Sequence, residues 1–194
     1  ILGADGTVTL TQNDFSGTVT DNCDVTWTFS TATFGCSMLG ANIITVTATD
    51  ASGNTTNDEI VVTVVDNTAP VVALQPVTLT LDANGTATLD TAAVIDYVRE
   101  NCSVSSMSLS QTTFNCSDLG ANTITLTVID SEGNSTAQTA TVTVTDAAAP
   151  VAATQDITLA LDANGAASMS YLYIEDGSTD NCGIESYAID ATNF

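Results

Sequence analysis

Thr123-Ile124-Thr125-Leu126-Thr127-Val128-Ile129-Asp130 places Ile124, Leu126 and Val128 on one face and threonines on the other. Successive side chains of a strand point to opposite faces, so this alternation reads as a half-buried antiparallel strand. Ser131-Glu132-Gly133-Asn134 follows as a turn, and Ala140-Thr141-Val142-Thr143-Val144-Thr145-Asp146 alternates again. The pair is a predicted hairpin. The same phrase stands earlier in the chain, with strands at 43–50 and 60–66 around Ala51-Ser52-Gly53-Asn54. A second hairpin is expected from 77–81 and 86–89, its Asp82-Ala83-Asn84-Gly85 turn using Asn-Gly for positive φ. Further strands are expected at 104–109 and 112–115, and 91–97 reads as a loop with one helical turn. No segment carries a helical stripe. Short strands with frequent turn signals define an all-β chain of antiparallel β-sandwiches.

Outward from that hairpin, the phrases recur at a spacing of 80 residues. Leu81-Asp82-Ala83-Asn84-Gly85 returns as Leu161-Asp162-Ala163-Asn164-Gly165, with a worn copy at Gly3-Ala4-Asp5-Gly6; Leu39-Gly40-Ala41-Asn42 returns as Leu119-Gly120-Ala121-Asn122. Asn22-Cys23 returns as Asn101-Cys102 and Asn181-Cys182, and Ala69-Pro70 as Ala149-Pro150. A period that long makes each repeat a small domain rather than one turn of a solenoid. The expected domains are 1–66, an N-terminally truncated repeat, 67–146, a complete one, and 147–194, truncated at its C-terminal side. Pro70 and Pro150 stand just past the last strand of each repeat, where a residue without a backbone donor ends a ladder. Such short linkers imply an elongated, semi-rigid array whose first partners are neighbouring repeats of the same chain.

The 194 residues include 23 acidic side chains and one basic side chain, Arg99, with no histidine, for a net charge of −22. Such a surface repels phosphates, which argues against a nucleic-acid partner and against anionic membranes. Divalent cations, basic partners and neutral ligands such as polysaccharides are compatible with it. Valine, isoleucine, leucine and threonine are plentiful enough to fold an acidic chain. No apolar run approaches the ~20 residues of a membrane span, so direct membrane insertion is not expected.

Cys23 and Cys36 are 13 residues apart and Cys102 and Cys116 are 14 apart. Intra-repeat disulfides Cys23–Cys36 and Cys102–Cys116 are therefore expected, with the partner of Cys182 beyond residue 194. Each would close a loop for which chain entropy gives about 3 kcal/mol. Disulfides imply an oxidising, extracellular setting. Zinc is the competing use of these thiols, but no Cys-x-x-Cys knuckle or histidine accompanies them. The lack of histidine also removes Ser-His-Asp and Cys-His catalysis. Acidic residues recur with every repeat, whereas one active site needs one cleft, so the chain is not expected to be an enzyme.

The acids gather at strand ends. If each last strand ends at the pole facing the next repeat's loops, Asp66 meets Asp130, Asp96 or Glu100, and Asp146 meets Asp176 and Asp180. Two explanations stand: aspartate favours turns because it hydrogen-bonds its own backbone, or clustered carboxylates hold Ca²⁺ at the junctions. No EF-hand loop is present. Trp27, Tyr97, Tyr171, Tyr173 and Tyr187 could stack on sugars or simply pack, and Trp27 is matched by Ser106 and Ser186 in the other repeats.

The run 119–134, followed by Thr-Val-Thr-Val-Thr-Asp at 141–146 and Ala149-Pro150, resembles the hyalin-repeat (HYR) type of immunoglobulin-like module. Joined to Gln155–Gly165 and to Asp176-Gly177-Ser178-Thr179-Asp180-Asn181-Cys182-Gly183, it is similar to the repeat arrays of giant SprB-like gliding-motility adhesins of Bacteroidetes. The resemblance implies tandem Ig-like sandwiches on a bacterial cell surface, export by type IX secretion, and a filament or stalk for attachment and gliding motility. It implies no catalytic site. Many hyalin-type repeats carry a cysteine between the last two strands, where this chain has Thr56, Asn57, Thr136 and Ala137. The alternatives are a calcium-dependent polysaccharide- or ligand-binding module, or an accessory region of a secreted carbohydrate-active enzyme.

Overall fold

The computed structural model describes residues 1–15, 24–190 and 193. Its elements are almost all strands: β1 (Thr7–Thr9), β2 (Val25–Phe29), β3 (Thr33–Gly35), β4 (Gly40–Asp50), β5 (Thr55–Val64), β6 (Val71–Leu74), β7 (Val77–Thr80) and β8 (Thr86–Thr88). A single-turn helix, α1 (Thr91–Val94), leads into β9 (Ile95–Arg99), β10 (Val104–Leu109), β11 (Thr113–Asn115), β12 (Gly120–Asp130) and β13 (Ser135–Thr145). Short 3₁₀ turns occupy Gln12–Asp14, Cys36–Met38, Cys116–Asp118 and Tyr171–Tyr173.

The predicted alternation is realised most fully in β12, where Ile124, Leu126 and Val128 are all 0% exposed. Each full burial stabilises by about 1.5–3 kcal/mol, and the intervening threonines stay partly exposed. In β4 the same positions are Ile44, Val46 and Ala48, all buried. β4 and β5 form the predicted antiparallel hairpin, in register from Gly40↔Val64 to Thr49↔Thr55.

The chain divides into two compact units, residues 1–73, 95–108 and 126–138 in the first and 74–94, 109–125 and 139–194 in the second. Each unit thus joins segments from successive sequence repeats. In the first, β1 pairs antiparallel with β3, and β2-β4-β5 form a three-stranded sheet. Leu2, Phe34, Ile44 and Val64, drawn from both sheets and the leading segment, form a core against which Val8, Phe29, Cys36 and Cys102 pack. In the second unit the residues one repeat on, Leu81, Phe114, Ile124 and Val144, are likewise buried. There β8 pairs antiparallel with β11. A four-stranded sheet has the order β10-β12-β13-β7.

The second predicted hairpin is corrected. The turn at Asp82–Gly85 forms, closed by Gly85 N–H to Asp82 O (3.0 Å) and Asp82 N–H to Thr86 O (2.8 Å). The flanking strands do not pair with each other, however: β7 runs parallel to β13, Val77 opposite Val142, while β8 joins β11. Alternation announces a strand but not its partner. Only Gly85 (φ 70°) is left-handed in this turn, and Asn84 is not. Part of the 91–97 stretch becomes strand, because α1 ends at Val94 and β9 follows it. Among the described residues no helix is long and apolar enough to cross a membrane.

Candidate functional site

The cysteines correct the sequence-based pairing. Cys36 is bonded to Cys102 (Cα–Cα 5.4 Å) and Cys116 to Cys182 (Cα–Cα 5.3 Å), each pair separated by 66 residues. The sulfurs expected for Cys23–Cys36 and Cys102–Cys116 are therefore committed elsewhere, and Cys182 has its partner within the chain. Cys23 lies outside the described residues. Each bond ties one sequence repeat to the next, because Cys36 and Cys116 follow β3 and β11 whereas Cys102 and Cys182 belong to the recurring Asn-Cys pair. Two disulfides place the chain in a non-reducing environment.

Around each disulfide the recurring phrases interlock. In the first unit the Asn101 side-chain amide donates to Asp66 Oδ1 (3.0 Å) and Gly3 O (3.3 Å). In the second, Asn181 donates to Asp146 Oδ1 (3.1 Å) and Asp82 O (2.9 Å). The turn glycine closes the assembly: a Cβ on Gly6 would collide with Asn101 O and lie 3.0 Å from Cys36 Sγ, and one on Gly85 would lie 2.7 Å from both Asn181 O and Cys116 Sγ. Asp82-Ala83-Asn84-Gly85 is thus more than a hairpin turn. Its glycine is demanded both by φ and by close approach.

The acids separate into two kinds. Many serve their turns, as backbone chemistry alone predicts. Asp50 accepts from Ser52 N and Asn54 N (2.8 Å each) and from the Asn54 side chain (2.7 Å); chiefly the Asn54 side chain holds its carboxyl below the ordinary value. Asp82 is held low by the N–H of Thr86 and then that of Asn84, and Asp162 by those of Ala166 and Asn164.

The second kind is a cluster within the first unit. Asp66, Glu100 and Asp130 each bring a carboxylate oxygen within 4.8 Å of the others. Asp66 is 2% exposed and Asp130 1%. β5 delivers Asp66 just past its end, Glu100 follows β9, and Asp130 closes β12. Asp66 and Glu100 are each pinned through one oxygen, Asp130 through both. Asp66 Oδ1 accepts from Thr68 N (3.0 Å), Glu100 Oε1 from Asn101 N (2.8 Å) and Cys102 N (3.3 Å). Asp130 Oδ1 accepts from Glu132 N (2.9 Å) and Asn134 N (2.8 Å), and its Oδ2 from the Asn134 side chain (2.7 Å), which also reaches Asp66 O (3.1 Å). Burial pushes the Asp130 carboxyl up, but the Asn134 side chain and the backbone donors outweigh it and hold it below the usual range. At an effective dielectric of about 20, each ionised pair at such a separation repels by roughly 3 kcal/mol.

Of the partners predicted for Asp66, the structure brings in Asp130 and Glu100 but leaves Asp96 exposed on β9. Asp146 meets Asn181; Asp180 accepts from Cys182 N (2.8 Å), and Asp176 is exposed. The asparagines of the two Asn-Cys pairs were missed as site residues, although their recurrence beside cysteine was the available signal.

The fold and site define an all-β repeat chain stapled by disulfides. No protein-family model matches it and no curated protein does. Among solved structures it is similar to the endo-fucoidan hydrolase MfFcnA9 from glycoside hydrolase family 107, at 20% identity over 71% of this chain and 27% of that one. The TM-score is 0.23, too low to carry an argument, and this chain spans about a quarter of that structure.

Proposed function

We propose that this chain is a structural and adhesive repeat segment of a large extracellular surface protein, built as tandem Ig-like modules and displayed on a bacterial surface as a stalk or filament. The observation that carries it is the pair of disulfides with identical separation, each locking one repeat to the next. A catalytic protein needs one site. A load-bearing one needs every repeat fastened alike, which is what the recurring asparagine, cysteine and turn glycine accomplish. The net charge of −22 suits a solvated, non-aggregating array.

Single-molecule stretching of the full chain tests the mechanical part. Each intact disulfide hides a 66-residue span, so reduction is expected to lengthen the released contour by about 3.5 Å per hidden residue, or roughly 230 Å per bond. Equal contour lengths before and after reduction refute the stapled array. Beads coated with the oxidised chain, tested for retention on polysaccharide films, separate an adhesive segment from a passive spacer.

A further inference from the structure

We propose that Asp66, Glu100 and Asp130 bind one Ca²⁺ ion. The acidic cluster alone would not carry this; two buried, unpartnered oxygens do. Asp66 Oδ2 and Glu100 Oε2 are buried and accept no hydrogen bond, although Asp66 is 2% exposed. In each of these two carboxylates one oxygen is fixed by amide donors and the other is left for a different partner. A buried carboxylate oxygen without a donor needs a water, a proton or a cation, and with three carboxylates this close a cation is the partner that also offsets their mutual repulsion.

Among the described residues no basic side chain meets these oxygens. The chain's one basic side chain, Arg99, carries its guanidinium 4.7 Å from the centroid of the Tyr97 ring. With no histidine in the sequence and Cys36 and Cys102 oxidised to a disulfide, the donors are hard oxygens only, the set that suits Ca²⁺ rather than zinc. The spacing fits as well. Oxygens about 2.4 Å from a common centre stand at most ~4.8 Å apart, and the three carboxylate oxygens all lie within 4.8 Å of one another. Mg²⁺ demands a tighter octahedron and retains its waters, so three pinned carboxylates from separate strand ends favour the larger ion. The ion would join the ends of β5, β9 and β12 beside the Cys36–Cys102 disulfide, which makes it a second, reversible staple. This site is independent of the adhesive role: a chain that binds Ca²⁺ but fails the stretching test retains it.

The test uses the whole chain stripped with EDTA, titrated with CaCl₂ by calorimetry and followed by thermal melting. Binding is expected in the ~10⁻⁴–10⁻³ M range of extracellular modules, with a rise in melting temperature. Glu100→Gln keeps the oxygen that accepts from Asn101 N and Cys102 N while removing the charge. It is expected to weaken binding at least about tenfold, and in EDTA to melt no lower than the parent, which shows it folded. Asp96→Asn, one exposed charge removed outside the cluster, is expected to bind as the parent does. No binding to the folded parent at 10-fold above that range, an unchanged Glu100→Gln affinity, an equal loss in Asp96→Asn, or equal affinity for MgCl₂ each overturns the proposal.

Discussion

Replacing Gly85 by alanine isolates the interlock of turn, asparagine and disulfide, because the chain contains its own control. Gly85 (φ 70°) and Gly165 (φ 77°) occupy the same turn one repeat apart, with matching hydrogen bonds to Asp82 O and Asp162 O (3.0 Å each). A Cβ on Gly85 would lie 2.7 Å from Asn181 O and 2.7 Å from Cys116 Sγ, whereas one on Gly165 meets nothing within 4 Å. The left-handed conformation costs an alanine about 1–2 kcal/mol at either position. Loss of glycine's unfolded-state freedom offsets both alike. Only Gly85→Ala adds an overlap, and its neighbours are a backbone carbonyl and a cross-linked sulfur, neither able to rotate away. Overpacking of that kind adds about 1–3 kcal/mol. Gly85→Ala should therefore lose roughly 2–5 kcal/mol and Gly165→Ala roughly 1–2 kcal/mol. Both positions belong to the second compact unit, so urea denaturation followed by circular dichroism reads both on one transition. Equal losses would refute the interlock.

Two further predictions address the covalent and the ionic parts of the same region. Peptide mapping without reduction should recover Cys36 linked to Cys102, and Cys36→Ser with Cys102→Ser should lose about 4 kcal/mol, the chain-entropy value for a loop of 66 residues; recovery of a Cys23–Cys36 peptide instead would defeat the pairing. Asp82 is held below its ordinary value chiefly by Thr86 N–H, so its contribution is present above the unfolded carboxyl value of about 3.9 and fades as pH falls through the lower folded value. Melting curves should accordingly show the advantage of the parent over Asp82→Asn shrinking below about pH 4, and an advantage that grows on acidification contradicts the hydrogen-bond account.

How far the fold can be read in the sequence depends on the range of the interaction. Strand identity is local: β4 and β12 carry long period-two alternation and are legible, as are the second halves of β5 and β13, whereas their first halves, 55–59 and 135–139, lack that alternation and are not. Strand partnership is not. β7 sits beside β13, with Val77 opposite Val142, and nothing in the 77–89 stretch announces that. Short β6 and β9 lack a long alternating run, so β9 was read as loop. The disulfides failed for a related reason. Short spacing favours Cys23 with Cys36 in an unfolded chain, but pairing is decided by which Cα atoms the fold brings to 5.4 and 5.3 Å. One clue was available, since separations of 13 and 14 differ whereas 66 recurs unchanged. The acidic cluster was legible in part because it sits at strand ends, which alternation does locate. Asp96 dropped out once β9 formed and left its side chain exposed, while Glu100 at the strand's end turned inward.

The pattern of what recurs and what drifts follows from the same geometry. Trp27, Ser106 and Ser186 hold equivalent places with unrelated side chains. By contrast, Asn101 and Asn181, Asp66 and Asp146, Cys36 and Cys116, and the glycines at 6 and 85 are kept. Trp27 is half-buried on the face of β2 that carries Phe29, whereas Ser106 and Ser186 are exposed, so this position makes no contact that every repeat must keep. Asn101 must at once donate to Asp66 Oδ1, donate to Gly3 O, present its carbonyl to Gly6 and carry Cys102 into the disulfide. Replacing it leaves Asp66, already 2% exposed, without one of its few donors, a loss that buried carboxylates do not absorb. The 80-residue period is accordingly carried by the fastening between one repeat and the next together with the core positions that recur beside it, Leu2 and Leu81, Phe34 and Phe114, Ile44 and Ile124, Val64 and Val144.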